Sequence, residues 1–143
     1  MGSGRRGGGG GGLSNAADSG TGVTVSGDLT VEGNIFADSD VTASNFNTTS
    51  DARIKTNVRT IYDALDKTMQ LRGVYFDKNG KPDIGLIAQE VEEVMPMVVN
   101  TLNDEMQTKT VNYGGLVGLL VQAIKSQQEQ IDDLTEKVNR LME

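Results

Sequence analysis

Val117, Leu120, Ile124, Ile131, Leu134, Val138 and Leu141 recur at alternating spacings of three and four, with Gln127 in step among them. This pattern predicts one long helix from Leu116 to Glu143 carrying a heptad seam of about three and a half repeats. Glu129, Asp132, Asp133, Glu136, Lys137 and Arg140 flank the seam. Such a stripe must be covered, either by the helix's own domain or by copies of the same helix. Because the seam runs through the last residues, self-association is the expected solution. Ile131 and Val138 at one seam position, with Leu134 and Leu141 at the other, taken alone favour two strands. Gln127 is a polar intrusion that sets register. The seam thus predicts an oligomer without fixing its number.

The opposite end of the chain is of another kind. Eight of the 18 glycines of the 143-residue sequence lie in its first dozen residues, and residues 1–22 read as a flexible linker or tag. From Val25 the chain falls into six-residue units: Val25-Ser-Gly-Asp-Leu-Thr, Val31-Glu-Gly-Asn-Ile-Phe, Ala37-Asp-Ser-Asp-Val-Thr, then Ala43-Ser-Asn-Phe. Short alternating stretches between turn-forming residues predict brief β-strands. Roughly twenty residues of this type bury too little to stand alone, so residues 23–50 are expected to need copies from other chains. An ordinary β-meander edge and a left-handed hexapeptide solenoid are the competing forms, and the solenoid needs more coils than these.

Between these parts, residues 51–115 read as a small α+β unit. Leu71 to Phe76 alternates and suits a strand. Asn79-Gly80 before Lys81-Pro82 marks a turn, and Ile84 to Ile87 would return as a hairpin. Ala88 to Met95 has helical spacing closed by Pro96. Asn100 to Asp104 reads as a loop, and Thr108 to Tyr113 as one more strand.

Composition limits the chemistry. The chain has no cysteine and no histidine, so disulfides, thiolates and imidazole bases are excluded, and acid–base work falls to carboxylates, lysine or tyrosine. A net charge of -7 disfavours nucleic acid or an anionic membrane as partner. No apolar run approaches the ~20 residues that span a bilayer. One hydrolytic arrangement that remains is a Ser–Lys pair, in which a desolvated lysine takes the proton of a hydroxyl. Ser50-Asp51-Ala52-Arg53-Ile54-Lys55 sets a serine and a lysine five residues apart at the junction of the repeat and the globular unit. On composition alone, the spacing reads as a solvated loop.

Ser50-Asp51-x-Arg53-x-Lys55-x-Asn57, then Gly85-Leu-Ile-Ala-Gln-Glu-Val-Glu92 with Pro96, Val111-x-Tyr113 and Ala123-Ile124-Lys125 together resemble the intramolecular chaperone domain of phage tailspikes and tail fibres. That domain is also called peptidase S74 or the endosialidase-type chaperone, and it is similar to a region of the animal myelin regulatory factor. The likeness covers residues 50–143. It implies an intertwined homotrimer that registers a β-shaft, a triple β-helix, and then cuts itself off between Ser50 and Asp51, with Ser50 the catalytic serine and Lys55 its base. It implies no cofactor and no metal. The shaft part would stay in the virion tail fibre, and the chaperone part would be released in the host cytoplasm. Arg53 would steady Asp51 or a developing oxyanion, against a plain surface charge. Gln89 or Glu90 would orient Lys55, against packing or capping roles.

A serine attacking its own carbonyl would close a four-membered ring. Three routes stay open: a serine from a neighbouring chain, a water activated by the pair, or the Asp51 carboxylate through a six-membered ring. Three functions of other classes compete: a trimerisation module that never cuts, a receptor-binding fibre tip, and an acyltransferase solenoid.

Overall fold

A computed structural model describes residues 22–143. The linker expected over residues 1–22 lies, except for Gly22, outside them. The chain divides into two units, Met1–Thr49 and Ser50–Glu143.

Residues 22–49 contain no helix or strand, and every one of them is exposed. Val25, Leu29, Val31, Ile35 and Phe36, the apolar residues of the six-residue units, are between 44% and 73% exposed. The strands expected there find no pairing partner among the described residues of the chain.

The second unit is an α+β domain with a long C-terminal helix. Its elements are α1 (Ala64–Gln70), β1 (Val74–Lys78), β2 (Lys81–Gly85), α2 (Ala88–Val94), β3 (Val99–Thr101), β4 (Lys109–Val111) and α3 (Tyr113–Met142). β1 pairs antiparallel with β2, and β3 with β4, as two separate two-stranded sheets. β1 begins three residues after Leu71, where the alternation starts, and β2 begins three residues before Ile84, where the return strand is expected; the turn explains why. Asn79 and Gly80 both have positive φ, 52° and 75°, the backbone that a two-residue turn between twisted strands requires. Pairing therefore runs up to Lys78 opposite Lys81. Pro82 is tolerated inside β2 because a two-stranded sheet leaves each strand an unpaired edge. Asn100 and Thr101, expected in a loop, pair with Thr110 and Lys109.

α2 stops before Pro96, whose ring pushes Met95 out of the helical region, to φ -139° and ψ 67°. A short 3-10 turn over Pro96–Val98 follows. Asn112 begins α3 by accepting a hydrogen bond from the Gly115 amide at 3.2 Å. The helix thus starts three residues before Leu116.

Ala64, Val91, Met95, Val98, Leu116, Leu119 and Ala123 form the core. Leu116, Leu119 and Ala123 line one face of α3, which packs on α1 and on the Pro96–Val98 turn. That face is offset by one residue, about 100° of helix rotation, from the heptad seam. The seam stays bare: Val117, Leu120, Ile124, Ile131, Leu134, Val138 and Leu141 are 45–87% exposed. α3 thus packs on its own domain and still presents an uncovered heptad stripe. No helix is long and apolar enough to cross a membrane among the described residues.

Candidate functional site

The first residues of the second unit turn back on themselves. Ala52–Ile54 form one turn of 3-10 helix, with backbone bonds from Ile54 N to Asp51 O and from Lys55 N to Ala52 O, both 3.2 Å. Asp51 caps the turn: its Oδ1 accepts from the Arg53 amide at 2.8 Å. The Arg53 side chain returns to the same carboxylate, donating from Nε to Oδ1 at 3.0 Å and from Nη2 to Oδ2 at 2.7 Å. Both carboxylate oxygens are therefore engaged by one residue, in the forked geometry that a guanidinium favours. The Arg53 guanidinium, and then the Arg53 amide, hold the Asp51 carboxyl below the usual carboxylate range, and Asp51 in turn raises the pKa of Arg53.

This turn brings Lys55 round to Ser50. Lys55 Nζ donates to Ser50 Oγ at 2.6 Å, within one chain. Residues 50–60 are exposed almost throughout their length, Ser50 and Lys55 among them. An amine at this distance from a hydroxyl can act as its base once water is removed from it, since desolvation favours the neutral amine. Two residues further on, Asn57 takes the left-handed conformation, φ 54°, which Asn tolerates better than most residues. It bends the chain just past the pair. The motif spacing thus acquires a physical meaning at each place: Ser50 with Lys55, Asp51 with Arg53, and Asn57 as the bend.

Gln89 and Glu90 are placed elsewhere. Glu90 accepts from Arg72, Nε to Oε2 at 3.3 Å and Nη2 to Oε1, and Arg72 holds the Glu90 carboxyl below its usual range. Gln89 is exposed on α2. Among the described residues, neither is hydrogen-bonded to Lys55. Arg72 has no signal in sequence spacing, because it meets Glu90 only through the hairpin between them.

The Val111-x-Tyr113 portion of the pattern also gains a role. Tyr113 Oη accepts from the Leu86 amide at 2.9 Å, tying the start of α3 to the β2–α2 connection. A Cβ on Gly85 would lie 2.6 Å from that oxygen, so glycine is what lets the tyrosine close in.

A groove of about 830 Å³, lined by Asn57, Arg59, Tyr62, Lys67, Met95 and Met97 among others, includes neither Ser50 nor Lys55. Among the described residues, no group of three or more carboxylates is placed to hold a metal.

Residues 50–100 match a family described as chaperone of endosialidase. The long tail fibre protein Gp37 of Enterobacteria phage K3 is 30% identical over 115 residues, which cover 74% of this chain and 9% of that protein. Its counterpart in Enterobacteria phage T2 gives the same figures. The Gp37 of Salmonella phage S16 is 31% identical over 106 residues, 66% of this chain and 14% of that protein. The chain therefore spans only about a tenth of the length of these relatives.

Proposed function

We propose that this chain, which belongs to the chaperone-of-endosialidase family through the segment beginning at Ser50, trimerises, registers a tail-fibre shaft, and then frees itself by cutting the Ser50–Asp51 bond. The tail-fibre chaperone role follows from the family and from the Gp37 relatives. The observation that carries the cut is the 2.6 Å contact of Lys55 Nζ with Ser50 Oγ. The scissile bond adjoins the serine itself, so an enzyme of this kind needs no cleft to capture a foreign peptide. The open surroundings of the pair suit that.

Assembly is supported by what one chain leaves uncovered. The seam of α3 is bare, and an apolar groove of about 500 Å³ between the hairpin and the base of α3 is lined by Val74, Ile84, Val117 and Leu120 among others. The groove continues directly into the seam, so one neighbouring copy of the chain would cover both. A coiled coil formed along α3 nucleates locally, whereas the repeat over residues 23–50 has only interchain pairings to form, which are slow and prone to slipped register. Joining three shaft ends to one assembled base raises their effective concentration. Removing the base afterwards leaves the shaft without a route back to refolding, and so kinetically trapped.

The geometry narrows the chemistry. Ser50 Oγ cannot attack its own carbonyl without closing a four-membered ring. Arg53 occupies both Asp51 oxygens, which weakens them as nucleophiles for the six-membered route. The attacking oxygen is then a water or the Ser50 hydroxyl of a neighbouring copy. It adds to the Ser50 carbonyl carbon and gives its proton to Lys55. Lys55 passes that proton to the Asp51 nitrogen as the C–N bond breaks. Water leaves a carboxyl at Ser50 directly. A neighbour's serine leaves an ester, which water then hydrolyses. Burial of Lys55 in the assembly would promote the neutral amine that both routes need.

Intact mass tests the proposal. Wild type should yield residues 51–143, a 93-residue piece (143 minus 50), while Ser50→Ala and Lys55→Ala should remain whole. Normal cutting by Lys55→Ala would overturn the pair. Because Ser50 and Lys55 meet within one chain, mixing the two single variants should restore nothing. Wild type mixed with the Ser50→Ala/Lys55→Ala double variant separates the routes, since double-variant chains are cut only by a neighbour.

A further inference from the structure

We infer that Asp51 and Arg53 are positioning residues for the cut: their forked pair closes the turn that carries Lys55 back to Ser50. This rests on the Ser50–Lys55 reading above and adds what assembles that pair. Five residue steps of extended chain would separate the two Cα atoms by about 17 Å, far beyond the reach of a lysine to a serine hydroxyl. The 3-10 turn over Ala52–Ile54 shortens that path, yet none of its residues is buried. An isolated turn of this kind has a costly nucleus and poor hydrogen-bond geometry. Its own backbone bonds are two contacts of 3.2 Å. Among the described residues, the turn's own side-chain support besides the Ser50–Lys55 contact is the Asp51 carboxylate, which accepts from the Arg53 amide, Nε and Nη2.

The same clamp holds the leaving side of the bond to be cut. Asp51 supplies the leaving nitrogen, and its backbone is held at φ -67° and ψ 134° while its side chain is bound. With both oxygens taken, the carboxylate is also kept off the Ser50 carbonyl. An ordinary exposed ion pair contributes little to stability, and Arg53 is 89% exposed. If the pair were only that, changing it would leave the cutting rate untouched.

The test follows the first-order rate of cutting in full-length chains after a synthesis pulse, with native mass read on the uncut fraction. Arg53→Ala and Asp51→Ala should each slow cutting about tenfold. Asp51→Asn, whose side-chain oxygen still caps the Arg53 amide and can still accept from Arg53 Nε, should recover to within about threefold of wild type. The double alanine variant should be no slower than either single one, because the two residues act as one unit. Arg53→Lys keeps the charge without the fork and should be slower by about threefold; it stands in if Arg53→Ala fails to assemble. Wild-type rates for Arg53→Ala, Asp51→Ala or Arg53→Lys would overturn the inference, as would a double variant slowed multiplicatively. In each of those cases an uncut Ser50→Ala chain would leave the Ser–Lys reading intact, whereas cutting of Ser50→Ala would remove that reading itself.

Discussion

The two ends of α3 meet different surroundings. At its base, Leu116, Leu119 and Ala123 are buried against α1 and the Pro96–Val98 turn. Beyond Ala123 no residue is buried, and the stripe from Ile124 to Leu141 lies open. The helix has 30 residues and is about 45 Å long, but its own domain covers one face of only the first three turns. The remaining length has no buried residue to hold it. The base is therefore held by tertiary packing within the chain. The distal part leaves its apolar stripe uncovered, and the buried and bare faces are offset by a single residue.

Substitutions at three places would break or sharpen this contrast. The largest effect is expected at the distal seam. Leu134→Asp places a charge on the stripe, and a charge desolvated in an interface is very costly. The native mass should fall to that of one chain, and the distal helical signal should weaken in circular dichroism. An unchanged oligomer would show that the seam is not the interface. At the base, Leu119→Ala empties a fully buried position and should cost about 3 kcal/mol. The melting temperature of the domain should fall by more than about ten degrees, while a separate peptide of the distal helix should associate as before. A smaller change is expected where α3 begins. Gly85→Ala would drive Tyr113 Oη off the Leu86 amide, costing about 1–2 kcal/mol. Tyr113→Phe removes that oxygen in advance, so the double variant should melt no lower than Gly85→Ala alone.

Several parts of the fold are written locally and can be read without coordinates. Asn79-Gly80 prescribes its turn because few residues accept positive φ twice in succession. Pro96 ends α2 because its ring excludes the helical region for Met95. The heptads prescribe a helix with an apolar seam because a period near 3.5 suits no strand. α1 escapes such reading because seven residues give too short a pattern. Asn100 and Thr101 escape it because a strand of three residues exists only through its partner. The motif from Ser50 to Lys55 was legible as a spacing, but Glu90 was not legible as a partner of Arg72, since those two are 18 residues apart and meet only after the hairpin folds.

Residues close together in the chain thus carry their own instructions: the turn, the helix stop, the heptad stripe, and the serine and lysine five residues apart, whose contact needs nothing but one capped turn. Choices among residues distant in sequence needed the folded domain. Folding buried Leu116, Leu119 and Ala123 and left their immediate neighbours Val117, Leu120 and Ile124 exposed. It also brought Tyr113 against Gly85 and Arg72 against Glu90. Both faces of α3 are apolar, so hydrophobicity alone does not distinguish them. Only the shape of the α1 surface and of the Pro96–Val98 turn selects which face goes inside.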